Sequence, residues 1–137
     1  MDLIYREGNV TSISLLERGI FEMHEKISKD IRCIINITNT SPIVSVTIGD
    51  DEDNYNTTDI TNEFITYSAA ETQMYDGGLV VNRGTVTYLS NEGFIPSHRY
   101  HMKKFFCHAA VPRHPQQVVY FTMNITCKHA SLCLYAS

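Results

Sequence analysis

Seven short segments of alternating apolar and polar residues place the strongest limit on the fold of this chain. They are rich in Val, Ile, Thr, Tyr and Phe and are separated by turn-forming residues, which is the pattern of half-buried β-strands. Several short strands in one small domain favour two sheets packed face to face. We therefore predict a mainly β protein, a β-sandwich. The predicted strands are 31–38, 43–48, 63–68, 84–89, 104–111, 117–126 and 131–136.

A different period precedes these segments, between Ser14 and Ile31. Apolar residues recur there every three or four positions, as they do on one face of an α-helix. Ser14 is followed three residues later by Glu17, which is a capping box, and Gly19 is expected to allow close packing. The sequence thus predicts an amphipathic helix over residues 14–31, before a sandwich over 31–137. Its apolar face includes Leu16, Ile20, Met23 and Ile27.

Length and charge limit the organisation and the partners of the chain. A chain of 137 residues fits one domain and is short for two, so we expect a single domain over residues 1–137. With 11 Lys and Arg and a net charge of -4, nucleic acid is not an expected partner. The first residues, MDLIYREGN, lack the basic and apolar regions of a signal peptide. No run reaches the roughly 18 apolar residues of a spanning helix, so we expect a soluble chain.

Cysteines and glycosylation sequons bear on the compartment. The four cysteines have no C-x-x-C pair and are too scattered to suggest a disulfide framework. Cys33, Cys107 and Cys133 lie in apolar runs, so we expect these three to be buried free thiols. Five Asn-x-Ser/Thr sequons would matter only in a secretory pathway. They begin at Asn9, Asn36, Asn39, Asn56 and Asn124.

Motifs for catalysis and for metal binding have little support. His98-x-x-His101 has no second ligand pair at zinc spacing, and the acidic run 50–53 lacks the spacing of an EF-hand loop. A nucleophile elbow, a Walker loop and a dinucleotide fingerprint are all missing. We therefore expect no catalytic residues, no metal and no cofactor, and a binding protein rather than an enzyme.

Four stretches, taken in order, resemble the actinoporin-like family of membrane-active cytolysins, in which an amphipathic N-terminal helix precedes a β-sandwich. These are the helix from Leu15 to Lys29, the strand and Asn turn over 35–41, the Gly-x-Val-x-Tyr of 84–88, and the Ala-Val-Pro of 110–112. After that Val-Pro this chain reads Arg113-His114-Pro115, where the family has an aromatic-rich loop.

The resemblance implies a secreted or membrane-associated pore-forming cytolysin, or a divergent non-lytic relative. It implies that the helix detaches, so that Leu16, Ile20, Met23 and Ile27 enter lipid and copies of the chain oligomerise on the membrane. It also implies that Val111, Pro112 and Tyr120 lie nearest to a lipid headgroup.

The alternative to this membrane-binding function is a soluble interaction module. A helix packed permanently against a sandwich explains the same apolar face. In that hypothesis the exposed loops bind a protein or glycan partner, and no lipid is involved.

Overall fold

The computed structural model of the chain describes residues 7–50, 57–69 and 71–127. In these ranges ten strands form two five-stranded sheets. Sheet 1 has the order β1-β3-β8-β6, with β7 also paired to β8, and sheet 2 has the order β2-β10-β9-β4-β5. Sheet 1 contains β1 (Asn9–Leu15), β3 (Arg32–Thr38), β6 (Phe64–Ser68), β7 (Thr72–Asp76) and β8 (Leu79–Ser90). Sheet 2 contains β2 (Ile20–His24), β4 (Ile43–Gly49), β5 (Thr58–Asp59), β9 (Lys104–Ala110) and β10 (Gln117–Thr126).

The hydrophobic core lies between the two sheets and follows from the alternation of each strand. On β3, Cys33, Ile35 and Ile37 are buried while Asn36 between them is exposed. The rings of Phe105 on β9 and Phe121 on β10 stack with centroids 5.1 Å apart in the same core. A period of two places every second side chain on the core face, which is why local patterning located these strands.

The predicted β-sandwich is therefore confirmed, and most of its predicted strands are present. The segments 31–38, 43–48, 63–68, 104–111 and 117–126 correspond to β3, β4, β6, β9 and β10, and 84–89 lies within β8. The prediction for 131–136 lies outside the described residues. Two 3-10 turns, Thr61–Glu63 and His98–Tyr100, join strands.

The predicted N-terminal helix is wrong. Within residues 14–31, β1 ends at Leu15 and β2 covers Ile20–His24, and Gly19 between them has a φ of +61°. β1 pairs with β3 of sheet 1, whereas β2 pairs in parallel with β10 of sheet 2. The segment crosses from one sheet to the other, and long-range pairing outweighs its local helical preference.

The expectation of free thiols is also wrong. Cys33 on β3 and Cys107 on β9 form a disulfide that joins the two sheets, with a Cα–Cα distance of 6.5 Å. Cys127 is disulfide-bonded as well. Two cysteines 74 residues apart meet because both point into the core from opposite sheets. The Cys33–Cys107 disulfide is thus a covalent cross-link through the centre of the sandwich.

The strand order is that of an immunoglobulin sandwich. In that fold four strands, A, B, E and D, face a sheet containing C, F and G, and a disulfide joins B to F. In this chain the positions of A, B, E and D are taken by β1, β3, β8 and β6, and those of C, F and G by β4, β9 and β10. The disulfide between B and F corresponds to Cys33–Cys107. The chain has no tryptophan; Val46 of β4, fully buried, pairs with Cys107 beside the disulfide.

Candidate interaction site

The four residues expected on one lipid-facing helix do not share a face. Met23 points into the core from β2 and is 3% exposed. Leu16, in the connector before β2, is 73% exposed, Ile20 at the start of β2 is 65% exposed, and Ile27 in the turn after β2 is 45% exposed. The apolar stripe read from the sequence is divided between the core, which contains Met23, and the surface.

The three residues expected near a headgroup are not gathered either. Tyr120 pairs across the sheet with Phe106, whereas Val111 lies five residues after Phe106 in the sequence. At about 3.3 Å per residue the two lie about 17 Å apart along the sheet. Val111 is buried at the end of β9 and Pro112 beside it is exposed. Among these three residues, Tyr120 alone lies near the cleft described below.

Tyr120 is an exposed aromatic side chain held on the outer face of sheet 2. Its ring lies 5.6 Å from that of Phe106, and the Lys104 ammonium lies 5.1 Å from its centroid. Ile20 pairs with Thr122, two residues along from Tyr120, so Ile20 lies on the same outer face, diagonal to it. Tyr120 and Ile20 thus expose apolar groups on the same outer face of sheet 2.

A gap in strand pairing lies next to this surface. β2 pairs with β10 only along Thr122–Thr126, and the Thr122 N–H donates to the Gly19 carbonyl at 2.7 Å. Because hydrogen-bonding directions alternate along a strand, the N–H and C=O groups of Val118 and Tyr120 point to the same edge. Among the described residues no strand pairs with them there. Within the part of the chain that the structure describes, these four main-chain polar groups are thus not used in a strand ladder.

The gap opens into a cleft of about 380 Å³ between β1 and β10, which we call the edge cleft. Its apolar walls come from both strands, and the connector between β1 and β2 adds two charged residues, Glu17 and Arg18. The lining residues are Ile13, Ser14, Leu15, Glu17, Arg18, Val118, Val119 and Tyr120. Leu16 lies within the same connector, with most of its side chain in solvent.

Glu17 lines the edge cleft and is unusual because its charged side chain is buried. Its side chain is 4% exposed, and its Oε1 lies 3.6 Å from the ammonium of Lys29, which also lies over the Phe21 ring. Its Oε2 is buried and has no hydrogen-bond partner among the described residues. A buried carboxylate oxygen without a donor is costly, so a donor from a bound molecule would be favoured here.

The histidines form no metal site in the described ranges. The rings of His98 and His101 stack with centroids 5.5 Å apart, and His101 Nδ1 accepts the Ile125 N–H at 3.0 Å. No group of three His, Cys, Asp or Glu side chains among the described residues is arranged to hold a metal ion. Within the same ranges, no helix has the length and apolar character to cross a membrane.

Comparison with known proteins assigns no relationship. No protein-family model matches the chain, and no curated protein is significantly similar to it. The candidate site is therefore defined by its geometry alone.

Two residues of the edge cleft were assigned other roles from the sequence. Glu17 fitted a helix cap and Val118 an ordinary strand position, and neither suggested a site. The signal that could have revealed the cleft is Gly19, because a glycine between two apolar segments also predicts a turn between two strands.

Proposed function

We propose that this chain is an immunoglobulin-type interaction module that binds a protein partner at the edge cleft. One observation carries the proposal: exposed Leu16, Ile20 and Tyr120 lie at or beside a cleft that opens on a strand edge with which no described strand pairs. Exposed aromatic and aliphatic side chains around a desolvated pocket are the usual anchors of protein recognition.

Strand addition is the binding mode that the edge favours. An extended segment of the partner lies beside Val118 and Tyr120 and pairs with their N–H and C=O groups that face the gap. A donor on that segment, such as a basic side chain, reaches the buried Oε2 of Glu17. Main-chain pairing supplies affinity, and the carboxylate and Tyr120 supply selectivity.

An oxidising compartment, secretory or extracellular, is part of the proposal. The Cys33–Cys107 disulfide supports it weakly, since such links persist mainly outside reducing compartments.

The lipid-binding function implied by the actinoporin-like resemblance stays a prediction. Its mechanism requires residues 14–31 to detach as a helix, and these residues instead supply β2 and part of β1. Recognition of a glycan is likewise a prediction, and the experiment below includes an arm for each.

The test is a multivalent form of the folded chain, applied to arrays of purified extracellular protein domains and of glycans, and to liposomes with neutral or anionic headgroups. We expect binding to a protein domain. Tyr120→Ser and Leu16→Ser should weaken it at least tenfold, because each removes an exposed anchor. Tyr75→Ser is the matched control, since Tyr75 is 68% exposed on β7 of the other sheet, and it should leave binding unchanged.

Val118→Pro tests strand addition itself. It removes one N–H that faces the gap and leaves the ladder to β9 intact, so far-UV circular dichroism should be unchanged while binding falls. Binding that survives both Val118→Pro and Tyr120→Ser would rule out the edge cleft. Binding or leakage of liposomes without protein binding would favour the lipid function instead.

A further inference from the structure

Two of the five sequons begin three residues apart, at Asn36 and Asn39, and the fold uses their side chains in different ways. Asn36 lies on β3, and Asn39 lies in the turn that follows it. N-linked glycosylation needs the amide nitrogen Nδ2 and space beside it for the first sugar. The surroundings of the two Nδ2 atoms therefore decide which of the two asparagines can be glycosylated in the folded chain.

Asn39 is built into the fold. Its φ is +50°, its Nδ2 donates to the Val80 carbonyl at 2.9 Å, and its Oδ1 accepts the Asn82 N–H at 2.6 Å. Its own backbone N–H donates to the Asn82 carbonyl at 2.9 Å. Val80 is 1% exposed, so Nδ2 is held against a buried strand and a sugar there would separate the turn from β8.

Asn36 has the opposite environment. It is exposed on the outer face of sheet 1, where its Nδ2 donates to Ser12 Oγ at 2.7 Å and its Oδ1 accepts the hydroxyl of Thr85. An amide nitrogen has two hydrogens, so a sugar can replace one while the bond to Ser12 remains.

A polar cleft of about 560 Å³ lies beside Asn36. Thr11, Thr72, Thr85 and Arg83 contribute hydroxyl groups and a guanidinium to its lining. Thr85 and Thr11 donate their hydroxyl hydrogens to Asn36, so their oxygens can accept from sugar hydroxyls, while the Arg83 guanidinium can donate to them. The cleft also gives the first sugar room on the sheet.

We propose that Asn36 carries an N-linked glycan when the chain passes through a secretory pathway, and that Asn39 does not. The donor is a lipid-diphosphate-linked oligosaccharide. Asn36 Nδ2 forms a bond to the anomeric carbon, the bond from that carbon to the diphosphate oxygen breaks, and the amide proton leaves with the released lipid diphosphate. The glycan covers the outer face of sheet 1 and leaves open the edge cleft between β1 and β10. This inference does not rest on the proposed function.

The test is secretion of the whole chain from eukaryotic cells behind a host leader, followed by site mapping with the amidase that removes N-linked glycans and mass spectrometry. We expect occupancy at Asn36 and none at Asn39. Asn36→Gln should remove that glycan. Ser41→Ala, at an exposed position, destroys the Asn39 sequon without changing the Asn39 amide and should leave the glycan content unchanged.

Occupied Asn39 in the secreted protein, or unoccupied Asn36, would overturn the proposal, and the wild-type chain alone decides this. If Asn36→Gln is not secreted, Thr38→Val is the second variant. It removes the same sequon by an isosteric change at a buried position, and it should also lack the glycan.

Discussion

Replacing Gly19 with alanine distinguishes two structures for residues 14–31: the turn between two strands that the sandwich contains, and the helix predicted from the sequence. In the sandwich Gly19 has a φ of +61°, and a Cβ there would meet no atom within 4 Å, so the whole effect is backbone strain. A left-handed conformation costs an L-residue about 1–2 kcal/mol. In a helix the same change would instead stabilise the chain by about 1 kcal/mol. The two structures therefore predict opposite signs.

The melting temperature reports that sign. For 137 residues the entropy of unfolding is about 290 cal/mol/K, so each kcal/mol shifts the melting temperature by about 3.5 °C. We expect Gly19→Ala to lower it by about 3.5–7 °C, whereas a helix would raise it by about 3.5 °C. Far-UV circular dichroism is the appropriate probe, because the chain has no tryptophan.

Gly77→Ala is the matched control for this measurement. Gly77 has a φ of +58°, and its Cβ position is also open, so the same strain should appear at a turn whose structure is not in question. A loss at Gly77 together with a gain at Gly19 would refute the strand assignment and restore the helix.

Three further predictions concern the core and the loops. Cys33→Ala with Cys107→Ala removes a cross-link spanning 74 residues, and the loop-entropy estimate gives a loss of about 4 kcal/mol in the free energy of unfolding by urea titration; a loss below about 1 kcal/mol would contradict it. Phe105→Ala, at a fully buried position, should lower the same free energy by about 3–5 kcal/mol; an unchanged urea midpoint would show that the ring is not part of the core. The side-chain hydroxyl and then the backbone N–H of Thr61 donate to Asp59 and lower its pKa below 3.8. The pKa of Asp59 is lower in the folded chain than in the unfolded chain, so this stabilisation is present above pH 3.8 and is lost as the pH falls below it. The free energy of unfolding, measured from pH 7 down to acid pH, should show this loss in the wild type and not in Asp59→Asn. The same acid dependence in both proteins would argue against the Thr61–Asp59 hydrogen bonds.

The candidate site was only partly predictable from the sequence. Tyr120 was chosen through a family resemblance, and the structure places it at the edge cleft for a different reason, the gap beside β10. Glu17 and Val118 were not chosen at all. Their role depends on where the chain crosses from sheet 1 to sheet 2, and that position is set by pairing with strands far along the sequence.

The sequence by itself determined the sandwich and the strands β3, β4, β6, β9 and β10, because alternation with a period of two is a local property of each segment. Tertiary structure alone decided residues 14–31. A bulge between Val10 and Ser12 and the turn at Gly19 place Val10, Leu15 and Met23 in one core. The helical spacing of Leu16, Ile20, Met23 and Ile27 does not predict that arrangement.

The pairing of Cys33 with Cys107 was decided in the same way. The alternation of each strand shows that its cysteine points inward. The sequence near each cysteine does not show that the two side chains come close together across the sheets. Local patterns fix the face on which a side chain lies, and long-range contacts fix its neighbours.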